Sequence, residues 1–290
     1  MLTKIKPKNI NLQRQIIALF FSIFFSCMPT KAAQNEHVSL YLPVHSSQYN
    51  IHSMLENALQ KSGLGHITIK YADHWQQYQQ NIRHGRQGIY FAPPHFTAWL
   101  VEQHNFTPLL KVKDSLKYVI TSRSSDSHIF EMSDLIDRKI CTQNPLNLDF
   151  LLINSAFKKS IKTADAHYVA SVADEMNAEQ SPCSAFSISN HFYLEQNFQS
   201  QEQPQREAPV EYIRLAQSEQ LNNYAVSIHP SLADKYSEKL ISFFSSKEVQ
   251  KSLSPLLKLT SSEAQLVNTN KLDYPSHYTD KLELYWGTNK

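Results

Sequence analysis

The chain has 290 residues, of which 41% are hydrophobic and 11% aromatic, so it can bury a sizeable core and is not expected to be disordered. It contains only five glycines, which argues against the glycine-rich loops that bind nucleotide phosphates. The formal net charge of +2 comes from 28 basic and 26 acidic residues, a balance that gives no compositional reason to expect a nucleic-acid partner.

The first 32 residues have the pattern of a secretory signal peptide. A basic stretch with Lys4 and Arg14 precedes the apolar run "IIALFFSIFFSCM", and small residues up to Ala32 follow it. The run is short for a membrane span, although an uncleaved anchor remains an alternative. Removal of this segment takes away five basic residues and no acidic one, which leaves 23 against 26 and a net charge of −3. We therefore expect a soluble mature protein in the periplasm.

From residue 37 onward, strand patterns alternate with helix patterns. β-branched and aromatic runs bounded by proline, glycine or asparagine predict strands, and apolar residues at helical spacing predict helices between them. In the first unit the predicted strands are 37–44, 66–72, 88–92, 109–112 and 117–121, and the helices are 50–63, 73–85 and 95–104. A short helix is predicted near 132–136. The alternation of strands and helices then resumes, with strands near 139–143, 166–171 and 183–189. Strands at 210–218 and 223–229, a helix at 230–246 and a helical, then irregular, tail complete the chain.

This alternation predicts two α/β units with parallel strands and right-handed crossovers. We assign one lobe to residues 33–120 together with 223–290, and a second lobe to residues 121–222. Crossing strands near Lys117–Arg123 and Asn223–His229 are expected to form a hinge between the lobes.

Five stretches resemble the periplasmic phosphate/phosphite/phosphonate-binding family of ABC-transporter solute-binding proteins. They are "SLYLPV", "IYFAPPHFTAW", "SDLIDRKICTQNPLNLDFLL", "DEMNAEQSPCSAFSIS" and "EYIRLAQSEQLNNYAVSIHPSLADKYSEKLISFF". The resemblance spans residues 38–245 and rests on the order and spacing of the stretches. It implies a two-lobed type 2 periplasmic-binding fold, an α/β fold with mixed, mostly parallel sheets and a hinge of crossing strands.

The chain departs from that family at the loop before the helix of the second unit. In the family this loop is rich in Ser and Thr, whose hydroxyls bind an oxyanion together with helix amides. Here it reads Asn144-Pro145-Leu146-Asn147-Leu148-Asp149, without hydroxyls. Asp149 is either a routine helix cap or, inside a cleft, a residue that favours a cationic or zwitterionic solute.

Ligands of open parallel sheets bind at the carboxyl ends of the strands, so residues at those ends are the candidate solute contacts. They are His45, Ser46, His74, Trp75, Pro94, His95, Asn144, Asn147, Asp149, Ser171, Asn190 and His191. Tyr41 and Tyr118, on or near the crossing strands, are further candidates.

Four of these candidates, His45, His74, His95 and His191, allow three interpretations. They are ordinary surface residues, hydrogen-bond donors to a polar solute, or ligands of a transition metal. Trp75 either stacks on a solute or packs beneath its own helix.

The mature chain keeps two cysteines, Cys141 and Cys183. Export favours a disulfide between them, and a pair of buried thiols is the alternative.

The leading functional hypothesis is a solute-binding protein that captures a small polar solute, of a phosphonate- or phosphate-like kind, by hinge closure and delivers it to the permease of an ABC importer. The sequence has no motif of a hydrolase, metalloprotease or β-lactamase, so we expect no catalysis, cofactor or bound metal. We also expect a monomer. The alternatives are a sensory input protein of the same fold that serves a membrane sensor, and a histidine-based metal-binding protein or enzyme.

Overall fold

The computed structural model describes residues 37–43, 51–72, 75–126, 128–142, 148, 165–169, 172–194, 211–258 and 260–286. Residues His37–Lys290 form one compact unit, within which two β-sheets are covered by helices.

The strands are β1 (Val38–Leu42), β2 (Ile67–Tyr71), β3 (Ile89–Ala92), β4 (Thr107–Val112), β5 (Tyr118–Arg123), β6 (Lys139–Thr142), β7 (Asp165–Tyr168), β8 (Ala185–Ser189), β9 (Tyr212–Gln217), β10 (Ala225–Ile228) and β11 (Leu266–Asn268). The helices are α1 (His52–Lys61), α2 (Trp75–Arg83), α3 (Pro94–His104), α4 (Val172–Asn177), α5 (Pro230–Ser245), α6 (Lys247–Leu257) and α7 (Asp280–Trp286). Short 3₁₀ turns lie at Met132–Leu135, Lys271–Asp273 and Ser276–Tyr278.

The first sheet has the strand order β11-β4-β10-β3-β1-β2, and the second has the order β7-β6-β8-β5-β9. In the first sheet β1 pairs in parallel with β2 and β3, while β10 is antiparallel to β3 and β4, and β11 is antiparallel to β4. In the second, β6 pairs in parallel with β7 and β8, while β5 is antiparallel to β8 and β9. The α/β fold with two mixed sheets is confirmed, but four of these nine pairs are parallel, so the sheets are less parallel than expected.

Alternating side chains of β1 build both faces of the first sheet. Val38, Leu40 and Leu42 are buried in one cluster with residues of α1, α5 and α6. Tyr41 points to the opposite face, where aromatic residues of α2, α3 and α7 pack. Helices therefore cover both faces, which explains why all four residues of β3 are buried.

The end of α1 illustrates how local sequence sets these boundaries. Gly63 adopts a left-handed conformation with φ of 69° directly after the helix. The amide of Gly63 donates to the carbonyl of Gln60, and the amide of Leu64 donates to the carbonyl of Leu59. Glycine takes this conformation without the steric cost that a Cβ brings, so the helix ends where the sequence predicts.

The tail of the chain differs most from the sequence prediction. Beyond α6 it forms β11, which adds an edge strand to the first sheet, and then α7, whose Leu282 and Trp286 are buried against α2 and α3. A three-residue strand is too short to show a period, and the tail was therefore expected to be irregular. Within the described residues, no helix has the length and apolarity needed to cross a bilayer. The expected signal peptide, residues 1–32, lies outside the described residues.

Candidate functional site

The strand registers place the carboxyl ends of the parallel strands of both sheets beside the two chain segments that join the sheets. In the first sheet, Ala92 at the end of β3 pairs with Ala225, where β10 enters from the second sheet. In the second sheet, Ser189 at the end of β8 pairs with Tyr118, where β5 enters from the first. Both carboxyl edges therefore border the crossings, and this shared border is the candidate site.

The chain crosses between the sheets at residues 113–117 and 218–224. These segments differ from the predicted hinge near Lys117–Arg123 and Asn223–His229, because most of those residues lie inside β5 and β10. The position of the hinge stays a prediction, since a strand pattern does not show where a strand stops pairing within its own sheet.

The two prolines of "FAPPHF" connect β3 to α3 at this edge. Pro93 is extended, with φ −63° and ψ 160°, and Pro94 is the first helical residue, where an amide proton is not needed. Thr97 donates its hydroxyl proton to the carbonyl of Ala92 and its amide proton to that of Pro93. The turn is thus rigid. His95 is only 1% exposed, so it can meet only a solute that is enclosed at this edge.

Trp75 begins α2, at the carboxyl end of β2, and is partly exposed. Its ring lies 5.3 Å from that of Tyr78 and 6.0 Å from that of Phe96, measured between centroids. Tyr78 is fixed by a 3.0 Å hydrogen bond to the carbonyl of Phe91, and burial raises its pKa, so it is a neutral packing residue. Both predicted roles of Trp75 are compatible with this geometry, since the residue packs against the aromatic cluster and is only partly buried.

The Tyr41 side chain points away from the candidate site. Its ring stacks on Tyr90 with centroids 4.6 Å apart, and Tyr90 donates its hydroxyl proton to the carbonyl of Arg86, before β3. Tyr41 Cε2 lies 2.8 Å from where a Cβ would be on Gly88, also before β3. The tyrosine pair thus leans towards the amino edge of the sheet. That Tyr41 contacts solute stays a prediction, and this orientation does not support it, because the side-chain pattern of a strand shows the face of a residue but not its tilt.

The carboxyl end of β8 presents polar groups next to the crossing. Ser189 caps the following helix by accepting the amide proton of Phe192 at 3.2 Å, and the amide of Asn190 donates to the carbonyl of Lys117 at 2.8 Å. Oδ1 of Asn190 is buried and has no hydrogen-bond partner among the residues that the structure describes. His191 is partly exposed on the same turn, and Tyr118 is 8% exposed. Asn190 therefore has an acceptor available for a solute.

Three further polar residues at the carboxyl edge of the first sheet were missed by the sequence reasoning. His52, the first residue of α1, contacts the hydroxyl of Tyr71 at 3.2 Å through Nδ1, and Tyr71 is the last residue of β2. Nε2 of His52 lies 3.1 Å from Oε1 of Glu56, one helical turn on. The i, i+4 spacing of His52 and Glu56 at a helix start is a signal that could have drawn attention to them.

A family model described as "ABC transporter, phosphonate, periplasmic substrate-binding protein" matches residues 41–271. The chain belongs to this family. No match is found among curated proteins.

Solved structures with the same fold have low sequence identity to this substrate-binding protein. PhnD1 from Prochlorococcus marinus in complex with methylphosphonate has a TM-score of 0.63 and 10% identity, and the match covers 86% of this chain and 98% of that one. A binding protein component of an ABC phosphonate transporter from Pseudomonas aeruginosa has a TM-score of 0.61 and 12% identity, with 86% of each chain covered. A Xanthomonas citri protein bound to ATP has a TM-score of 0.63 and 12% identity, with 87% and 99% covered.

In this substrate-binding protein Cys141 and Cys183 form a disulfide, with sulfur atoms 2.00 Å apart. The bond joins β6 to the residues before β8, its parallel neighbour, and both cysteines are buried beside Val119 and Phe186. Of the two alternatives that the sequence left open, a disulfide or a pair of buried thiols, the structure has the disulfide.

Several predicted contacts of this substrate-binding protein fall outside the described residues: His45, Ser46, His74, Asn144, Asn147, Asp149 and Ser171. Of the four histidines considered above, His95 and His191 are therefore the two whose surroundings are described. In the part of the chain that the structure describes, His, Cys, Asp and Glu side chains form no group of three that could hold a metal ion.

Proposed function

We propose that the chain is an exported solute-binding protein that encloses a small polar solute between the carboxyl edges of its two sheets and delivers it to the permease of an ABC importer. The observation that carries this proposal is the register of β3 with β10 and of β8 with β5, which brings both edges to the crossings. Rotation of one sheet relative to the other about those crossings opens and closes the gap.

The solute that fits best is a compact phosphonate- or phosphate-like molecule that also carries a small organic group. The family description names phosphonate, and PhnD1 was solved with methylphosphonate. The partly exposed Trp75 suits the organic group, while Asn190, with its available acceptor, suits a protonated oxygen or an amine.

Capture of this kind needs no chemistry, and we assign no catalytic role to the chain. The proposed lobes are residues 33–120 with 223–290, and 121–222, so that each lobe contains one sheet except that residues 118–120 of β5 belong to the second sheet. Cleavage after Ala32 would release the mature chain into the periplasm, where an oxidising environment matches the Cys141–Cys183 disulfide.

A titration of the mature chain, residues 33–290, tests the proposal. The disulfide is kept oxidised, and methylphosphonate, 2-aminoethylphosphonate, phosphate and phosphite are added separately while thermal unfolding is followed. A solute that binds only the folded state raises the free energy of unfolding, by about 2.7 kcal/mol at a solute concentration of 100 times Kd. Tm therefore rises with solute concentration. A saturable rise with at least one of the four supports the proposal, and no rise with any of them contradicts it.

Replacement of Trp75 by leucine shows where the solute binds. We expect the Tm rise to shrink, because the partly exposed indole is lost. Replacement of the fully buried Trp99 by phenylalanine is the matched control, since it lies in the same aromatic cluster but has no exposed surface. An equal loss of binding in both variants would show that the effect comes from the core and not from a solute contact.

A further inference from the structure

The two crossing segments are joined to each other at one pair of residues. Leu116 and Leu221 form an isolated antiparallel bridge in which each amide donates to the other's carbonyl at 2.9 Å. Both side chains are buried, with 1% and 5% exposure. The segments therefore move together at this point.

On one side of this bridge both segments are attached to the second sheet. The amide of Tyr118 donates to the hydroxyl oxygen of Ser218 at 3.0 Å, and the amide of Ser218 donates to the carbonyl of Tyr118 at 2.8 Å. The carbonyl of Lys117 accepts from the amide of Asn190. Residues from 117 onward, and those up to 218, are thus part of the second sheet's body.

On the other side, Asp114 attaches the first crossing segment to the chain that follows α6. Its carboxylate accepts hydrogen bonds from Ser261 Oγ at 2.7 Å, and from the amide and hydroxyl of Ser262, each at 3.0 Å. Partial burial raises the pKa of Asp114, but these hydrogen bonds outweigh it and hold the pKa below its ordinary value. The carboxylate is therefore charged and bound at neutral pH.

Asn223 attaches the second crossing segment to the same part of the chain. Its side chain is fully buried and donates to the carbonyls of Asp114 and Thr260, each at 3.0 Å. Its own carbonyl accepts the hydroxyl proton of Tyr274 at 2.9 Å. Because a buried amide that loses its partners pays the full cost of desolvation, this attachment is firm.

Residues 260–279, which we call the C-terminal brace, thus fix both crossing segments to the first sheet. The side-chain amide of Asn222 also donates to the carbonyl of Asp273 in the brace, so only residues 115–116 and 219–221 remain between the attachments. An apolar cluster surrounds them, formed by Leu116, Tyr118, Leu148 and Leu221, with Tyr278 of the brace packed against it.

We propose that the two sheets rotate about the Leu116–Leu221 pair, and that the C-terminal brace confines the rotation to that pair and thereby sets solute affinity. This inference rests on the proposed function. With the brace intact, few backbone angles are free in the open state, so closure around a solute loses little conformational entropy. Loosening the brace lengthens the free part of both segments and makes closure less favourable.

The test compares two double variants of the mature chain. Ser261→Ala with Ser262→Ala removes both hydroxyls that bind Asp114. Ser246→Ala with Ser252→Ala is the control, because it removes two hydroxyls that bond within α6 and its cap, away from the crossings. Amide hydrogen exchange is measured without solute, and affinity is measured with methylphosphonate.

We expect the brace variant to exchange at least about tenfold faster than wild type in residues 113–116 and 219–223, and to bind methylphosphonate about fivefold more weakly. The control should match wild type in both measurements. Exchange that stays at the wild-type rate, or that rises throughout the first sheet, would refute the proposal that the C-terminal brace restrains the two crossing segments. Faster exchange with unchanged methylphosphonate affinity would refute the proposal that the C-terminal brace sets solute affinity.

The two proposals fail in different ways. If wild-type protein binds none of the four solutes named above, the proposed function fails, and the exchange measurement still decides whether the brace exists. Asp114→Asn provides a second variant if the double variant does not fold, because it keeps one side-chain acceptor for Ser261 and Ser262. We expect the same local increase in exchange, to a smaller extent.

Discussion

Replacing Gly88 by alanine should reduce stability without weakening solute binding. A Cβ at this position would lie 2.8 Å from Tyr41 Cε2 and 3.0 Å from the carbonyl oxygen of Ser39. Of these two neighbours the backbone oxygen cannot move freely, and the Tyr41 ring is held by stacking on Tyr90. The extra methyl group therefore has to be accommodated by a shift in the packed first sheet.

The expected cost follows from two opposing effects. Overpacking a core by a methyl group costs about 1–3 kcal/mol. Alanine also lowers the conformational entropy of the unfolded chain relative to glycine, which stabilises the folded state by about 0.4–1 kcal/mol. This gain applies here because Gly88 does not have a positive φ, so alanine can adopt its backbone conformation. The net loss lies between about 0 and 2.6 kcal/mol, centred on about 1.3 kcal/mol, which corresponds to a fall in Tm of a few degrees for a chain of this size.

Denaturant unfolding of four proteins measures this effect: wild type, Gly88→Ala, Tyr41→Ala and the double variant. Removal of the Tyr41 ring leaves room for the new methyl group, so the double variant should be more stable than the sum of the single losses predicts. Methylphosphonate affinity should be unchanged in Gly88→Ala. Additive losses, or a loss of affinity with full stability, would refute the assignment of Tyr41 to packing at the amino edge.

Three other expectations concern stability and binding. Replacing Cys141 and Cys183 together by alanine opens a loop of 42 residues, and the larger chain entropy of the unfolded state should lower the free energy of unfolding by about 4 kcal/mol. Denaturant unfolding measures this loss, and a loss below about 1 kcal/mol would contradict the prediction. Burial lowers the pKa of His229, whose Nδ1 caps α5 by accepting the Ser231 amide proton. The stabilisation is therefore present above the unfolded-state pKa of about 6.5, and it is lost as pH falls from there through the lower pKa of the folded state. His229→Asn should flatten this pH dependence of Tm, and an unchanged slope would contradict the assignment. Asn190→Leu should weaken methylphosphonate binding at least about tenfold while Tm without solute changes little, whereas unchanged affinity would remove this residue from the site.

Periodicity predicted the elements that carry the fold. The strand at 88–92, for example, was expected from its short apolar run and is observed as β3, and the helix expected over 95–104 is observed one residue longer, from Pro94. The helix started by Pro230 was expected over 230–246 and ends at Ser245. Such elements are set by local spacing and by residues that start or stop them, and both can be read from the sequence.

Features that depend on packing between distant parts of the chain could not be predicted in this way. The tilt of Tyr41 depends on the empty space above Gly88, 47 residues later in the sequence. The position of the crossings depends on Asp114 and Asn223, whose partners lie after α6. Neither residue belongs to a recognisable motif, and each is informative only when its spatial neighbours are known.

The candidate site was predicted as a set of strand ends, and that choice of edge agrees with the registers of both sheets. The individual contacts depend on side-chain direction, which strand patterns do not give. We keep Trp75 and Asn190 in the proposed site because Trp75 is partly exposed at the correct edge and Asn190 has a buried acceptor there, whereas the Tyr41 ring leans towards the other edge.

A crystal structure of the mature chain grown with saturating methylphosphonate would decide whether solute binds between the two sheets. We expect solute density that contacts Trp75 or the Pro94–His95 turn on one side and Asn190 on the other. Density at the opposite edge, near Gly88 and His229, or a solute-free gap at saturation, would contradict this expectation.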